Sequence, residues 1–335
     1  MRKTRFVSAL GILLAAALST FPAETADALK KAFAETKAKA ELGDASAQSN
    51  FGDLFYKGQG VDKNYAEAIK WYRKAAEQGH AAAQFNLGCS YQFGEGVKSE
   101  HAEAIKWYRK AADQGYDAAQ VNLGFMYANG QGVDKDYVEA AKWYRKAADQ
   151  GYARAQLNLG SMYEEGQGVD KNYVEAAKWY RKAADQENSE AQVNLGLLYN
   201  NGQGVDKDYV EAAKWFRKAA EQGDAYAQGN LGVLYLTGHG VEKDYTEAVK
   251  WYRKAAHNGN ELAQSNLGGM YAKGEGVDKD YAEAYAWLNL AARTITKAAE
   301  TRDNLEKMMS PQQVAEAQKR TKELRAQIDA KAKSK

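Results

Sequence analysis

Few residues in this chain have side chains that could do chemistry. Among 335 residues there are four histidines, His80, His101, His239 and His257, and one cysteine, Cys89. The histidines stand at unrelated spacings with no His-x-x-x-His pair, and no cysteine cluster accompanies them. Neither a zinc site nor a histidine-based centre is expected from such a pattern. Gly-x-Gly steps such as Gly58-Gln59-Gly60 resemble phosphate-cradling loops. They lack a third glycine and a Gly-Lys-Ser/Thr ending, and they follow helical rather than strand patterns, so they read as turns. Asp134-Lys135-Asp136 looks like the start of a calcium loop but lacks the oxygen ligand at the fifth position and the glycine at the sixth, and helix capping accounts for it better. No serine opens a Ser-x-x-Lys motif. A single thiol makes no internal disulfide, and Cys89 reads as an incidental small residue rather than a reactive one. The expectation is a protein that binds rather than catalyses, with no metal and no cofactor.

What positions these residues is a repeat. Gln48, Gln84, Gln120, Gln156, Gln192, Gln228 and Gln264 recur every 36 residues, as do all seven tryptophans, from Trp71 to Trp287. A fixed period of this size marks a solenoid, in which one supersecondary unit stacks on copies of itself. In the third unit, Ala119, Leu123, Met126 and Tyr127 fall on one helical face. Gly130 ends that helix with the left-handed backbone that glycine adopts without a Cβ penalty. Asp136 and Glu139 form a capping box that opens a second helix through Ala140, Trp143, Tyr144, Ala147 and Ala148, and Gly151 closes it. Glycine inside a helix costs about 1 kcal/mol against alanine. Each first helix nevertheless carries one, from Gly52 to Gly268, and close approach by a Trp or Tyr ring of the neighbouring helix is the expected cause.

The composition argues against nucleic acid. Lys and Arg number 46 against 44 Asp and Glu, so there is no electrostatic case for a phosphate backbone. The recurring Lys-Trp-Tyr/Phe-Arg-Lys run mixes bases with aromatics, but acids on the same helix offset the bases. It reads as a buried aromatic face with a solvated basic one.

The pattern A-x-x-L-G-x-x-Y-x-x-G-x-G-V-x-x-D-Y-x-E-A-x-x-W-Y-x-x-A-A resembles the Sel1-like repeat family, relatives of the tetratricopeptide repeats, and covers residues 44 to about 292. The resemblance implies an all-α fold, a right-handed α/α solenoid of seven helix-turn-helix repeats with helical caps, the first helix of each pair lining the concave side. It implies an adaptor or scaffold role, and several bacterial members are exported and act at the envelope or on host cells. Some cysteine-rich relatives are linked to penicillin binding or β-lactam hydrolysis. This chain lacks their cysteine pairs, so no such enzymatic activity is expected.

Outside the repeats, Arg2, Lys3 and Arg5 precede an apolar run from Phe6 to Leu18, and Ala26-Asp27-Ala28 fits a small-x-small cleavage site. Residues 1–28 read as a bacterial export signal, with a periplasmic or secreted destination and no lipoprotein cysteine. Removing three bases and two acids takes the formal charge from +2 to +1. An uncleaved signal would be the only membrane contact. Residues 29–43 read as an N-terminal capping helix, 44–293 as the seven repeats, and 294–335 as C-terminal capping helices with a basic tail. Ser310-Pro311-Gln312-Gln313 is a second capping signature. Repeat two lacks the capping Asp or Asn at Glu100, so a weaker helix start is expected there.

Because the repeats are near-copies, the positions that vary among them point to a surface. Four variable rows, beginning at Ser46, Ser49, Asp53 and Tyr56, share one stripe of the first helix. Along the chain the stripe includes Phe85 and Gln92, Val121 and Phe125, then Arg154, Leu157 and Glu164. It continues through Glu190, Val193 and Leu197 to Tyr226, Val233 and Leu236. An apolar middle with polar flanks suits a protein or peptide ligand in a groove rather than a small-molecule substrate. Packing between repeats would produce the same apolar pattern. The alternatives to a scaffold are an envelope enzyme acting on peptidoglycan or β-lactams and a purely structural spacer.

Overall fold

The computed structural model describes residues 26–333. Among these residues there are seventeen helices and no strand. The expected export segment lies outside them up to residue 25. Helix α1, Ala26–Glu41, begins ahead of the expected cut after Ala28. The first helices of the repeats are α2 (Ala45–Lys57), α4 (Ala81–Phe93), α6 (Asp117–Asn129), α8 (Ala153–Glu165), α10 (Ser189–Asn201), α12 (Ala225–Thr237) and α14 (Glu261–Lys273). The second helices are α3 (Tyr65–Glu77), α5 (His101–Asp113), α7 (Tyr137–Asp149), α9 (Tyr173–Asp185), α11 (Tyr209–Glu221), α13 (Tyr245–His257) and α15 (Tyr281–Ala291). Helices α16 (Thr296–Glu306) and α17 (Pro311–Lys333) follow. The chain forms two compact units, residues 1–182 and 183–335, divided within α9. In each, the helix pairs stack in sequence order as a helical solenoid.

The helices begin and end where local chemistry dictates. Gly130 sits at φ 66° past the end of α6, and Asp136 accepts the Glu139 amide at 2.9 Å at the start of α7. The other half of the expected capping box is absent. The Asp136 amide donates to the Tyr127 carbonyl at 2.9 Å, so Glu139 has no orphan donor to reach back to. Its carboxylate instead accepts from Trp143 Nε1 at 3.0 Å and from Lys142 at 3.1 Å. Helix α5 begins at Glu100 with no side-chain cap, as its sequence predicts. At Ser310 the box is complete: Gln313 accepts the Ser310 amide at 2.9 Å, and Ser310 Oγ accepts the Gln313 amide at 3.2 Å.

Within each repeat the two helices meet at the glycine notch. A Cβ on Gly124 would stand 2.8 Å from the Tyr144 ring, so only glycine lets the ring lie flat on the first helix. Tyrosine fills this notch in five repeats, Phe216 in the fifth and Leu288 in the seventh. The tryptophans are largely buried, Trp143 at 4% exposure. A lysine one turn on covers the ring, Lys146 Nζ lying 3.8 Å from the Trp143 centroid. The amine stays in solvent while its stem and charge shield the aromatic face.

Between repeats three recurring contacts set the stacking. Gln84 Nε2 donates to the Ala76 carbonyl at 3.0 Å, satisfying an orphan group at the end of the previous second helix. Gln84 Oε1 accepts from Gln114 of its own repeat at 2.7 Å. The same pair of bonds recurs in the second unit, at Gln192 with Ala184 (3.1 Å) and Gln222 (2.9 Å). Arginines cross to the next repeat's tyrosine, Arg73 to Tyr91 at 2.6 Å and Arg253 to Tyr271 at 2.7 Å. The second glycine of the Gly-x-Gly turn allows the third contact, at Gly96, Gly132, Gly168, Gly240 and Gly276. A Cβ on Gly168 would lie 2.0 Å from the Tyr137 carbonyl oxygen of the preceding repeat. The turn is a mortise for the neighbouring helix as well as a reversal of the chain. The other turn, after each second helix, departs once from its pattern: Glu187 holds φ 63° where the other repeats place glycine.

Candidate functional site

The variable stripe divides into a buried and an accessible part. Phe85, Val121, Leu157 and Val193 occupy one row and are at most 4% exposed. Phe85 and Val121 belong to the core of the first unit and Val193 to that of the second. The Phe85 ring lies 5.2 Å from Tyr116, at the turn leading into the next repeat. This row of the first helix therefore faces the following repeat. A stripe read from helical spacing runs continuously from solvent to interface, and spacing alone does not mark the border between them.

The row of the notch tyrosines decides several other positions. In Tyr72, Tyr108 and Tyr180 the ring crosses the glycine and delivers its hydroxyl to the far side of the first helix. Tyr72 donates to Asp53 at 2.6 Å, and Asn86 of the next repeat donates to the same carboxylate at 3.3 Å. Tyr108 donates to Gln92 at 2.6 Å and lies 3.3 Å from Cys89 Sγ. Tyr180 donates to Glu164 at 2.6 Å, with Ser161 Oγ 3.1 Å away. Gln92 and Glu164 are thus acceptors for an interior hydroxyl. Burial pushes the Glu164 pKa up, against the hydrogen bond from Tyr180. In repeat five Phe216 brings no hydroxyl, and the position equivalent to Asp53 is Leu197. The acceptors Asp53, Gln92 and Glu164 were present in the sequence, but only the notch geometry reveals the hydroxyls that reach them.

Cys89 is buried, and loss of solvent pushes its thiol up to about 12. At neutral pH it stays protonated and is a poor nucleophile. Among the described residues no group of three or more His, Cys, Asp or Glu could hold a metal ion. An open cleft of about 360 Å³ lies between α1 and α2, lined by Glu35, Lys39, Asp44 and Asn50 among others. It has no nucleophile paired with a base. No described helix is long and apolar enough to cross a membrane.

The accessible part of the stripe comprises Phe125, Arg154 and Glu164 in the first unit, each half-buried. In the second unit Glu190, Leu197, Val233 and Leu236 are half-buried, and Tyr226 is 40% exposed. Leu262, 60% exposed, belongs with them and was missed. It continues the row of Arg154, Glu190 and Tyr226 at the same 36-residue step, so the signal was in the sequence.

The pattern that builds this geometry matches a family model, the Sel1 repeat, over residues 45–80, 81–116, 117–152, 153–188, 189–224, 225–260 and 262–293. The chain belongs to the Sel1 repeat family. Its fold is similar to the crystal structure of a Sel1 repeat protein from Oxalobacter formigenes. The two are 34% identical, with a TM-score of 0.68, over 84% of this chain and 82% of that one. It is also similar to c5321, described as a protective antigen present in uropathogenic Escherichia coli strains displaying an SLR fold. That likeness is 32% identical over 90% of this chain and 81% of that one, with a TM-score of 0.44. No curated protein matches the chain. Sel1 repeat proteins generally serve as protein-interaction scaffolds that bind proteins or peptides, and the Sel1 fold is typically non-enzymatic.

Proposed function

We propose that this Sel1 repeat protein is an exported scaffold of the bacterial envelope that holds a protein or peptide against the accessible part of its first helices. One observation carries the reading. The residues that stay constant from repeat to repeat are taken up by packing and capping. Variable residues, Tyr226 and Leu262 foremost, keep solvent-facing apolar surface on the first helices of adjacent repeats. Surface that the fold does not need and that differs from repeat to repeat suits recognition of one extended partner. Export rests on the basic and apolar pattern of residues 1–28, and a host-directed protein would use the same face.

The test is a crosslinked pull-down from envelope extract with residues 29–335 as bait. A matched bait carries Tyr226→Glu and Leu262→Glu, positions at which the charge meets solvent rather than the core. A partner held by the native bait and lost by the mutant of equal helical circular dichroism supports the reading. Equal capture by both baits moves the site off this face, and no specific capture favours a spacer.

A further inference from the structure

Residue 257 breaks a row. The last position of the second helix is Glu77, Asp113, Asp149, Asp185 and Glu221 in the first five repeats and His257 in the sixth. The His257 imidazole is half-buried and meets the Trp287 ring of α15 at 5.1 Å and 87°. Helix α17 closes over the same place. It packs on α15 and reaches α13. It buries Leu324 in one core with Trp287 and Leu290, and Ile328 packs against that core beside Gly259. Its Arg320 donates to Glu283, whose other carboxylate oxygen accepts from Trp287 Nε1 at 3.1 Å. The histidine and the polar anchor of the capping helix therefore share one tryptophan.

The charges around the imidazole are mostly of one sign. Arg320 and Lys331 of α17 and Arg253 of its own helix act on it as cations, and Glu283 of α15 is the opposing carboxylate. Of the other helices on α13, α14 carries Glu261 and Lys273 at its two ends, and α12 is uncharged along its length. A helix C-terminus favours a protonated histidine. Burial, followed by the three cations, outweighs that preference and lowers the His257 pKa.

We propose that protonation of His257 releases α17 from the last repeats, so that the C-terminal helix is a pH-operated cap. Charging the imidazole adds a fourth cation beside one carboxylate and forces a desolvated edge to take up charge. The docked pKa lies below the ordinary value of about 6.5. The docked cap is therefore fully favoured above that value and weakens as pH falls from it toward the docked pKa. Release bares Trp287, Leu290 and the seat of Leu324 at the end of the array.

The test is hydrogen exchange of the full chain between about pH 7.5 and about pH 5, corrected for the intrinsic pH dependence of exchange. Amides of residues 311–333 should lose roughly tenfold or more of their protection at the lower pH, because the group whose docked pKa is lowered takes up its proton in that interval. Residues 81–165 serve as the internal control. His257→Gln, neutral throughout, should keep that protection. Unchanged protection in the native chain, or equal loss in the variant, overturns the proposal. Reciprocity supplies a second readout if His257→Gln unseats the helix by itself. Leu324→Asp undocks α17, and the His257 pKa followed by NMR should then rise toward about 6.5. The same pKa with the helix docked and undocked overturns the proposal.

Discussion

Glu187 is a glutamate in a backbone conformation that suits glycine. Its φ of 63° places it in the left-handed region, in the turn where Gly43, Gly79, Gly115, Gly151, Gly223 and Gly259 stand in equivalent positions. A non-glycine residue there costs about 1–3 kcal/mol, partly offset by the smaller entropy it loses on folding. Glu187→Gly should therefore raise stability by about 1 kcal/mol, read as a higher urea midpoint with an unchanged slope. At this scale the sequence was legible wherever a row was unbroken. The glycine row foretold a close ring, and Tyr144 lies against Gly124 as expected. The acceptors Gln92 and Glu164 were not legible. A polar residue on a variable stripe looks the same whether it faces solvent or a hydroxyl arriving from the other helix.

Helix boundaries followed from short motifs, because capping depends on residues within one turn. The exception is informative. Glu139 was expected to close a capping box, but the Tyr127 carbonyl had already taken the Asp136 amide it would have accepted. Local motifs predict local partners and miss a competitor that the turn brings back. Helix α5 supplies the complementary test. Glu100 has the backbone of the other caps, φ −142° and ψ 95°, without their side-chain bond. Glu100→Asp shortens the side chain to the length used at Asp136 and should stabilise the chain by about 0.5–2 kcal/mol. Thermal melts of the two proteins decide it, and no gain would mean that the α5 start is limited by something other than its cap.

Over the whole chain, the repeat made the fold legible, since one unit read correctly is read seven times. The accessible rows of the first helices were only partly legible, because rows of similar composition divide between solvent and the next repeat. The same regularity makes the repeats exchangeable. Deleting residues 117–152 would bring Arg109 to Tyr163, the Ala112 carbonyl to Gln156, and the His101 backbone to Gly168. Each replaces a partner of the same type. That deletion should leave helical content per residue unchanged and the melt cooperative by circular dichroism. Deleting only residues 117–134 should lose both. The Gly-x-Gly mortise has a mechanical consequence as well. Within each compact unit these turns grip the helix before them, so a unit pulled from its ends loads its joints in series, as links in a cable do. Yielding then comes one repeat at a time, in equal lengths of roughly 120 Å of extended chain, which makes the stack an elastic tether of fixed step.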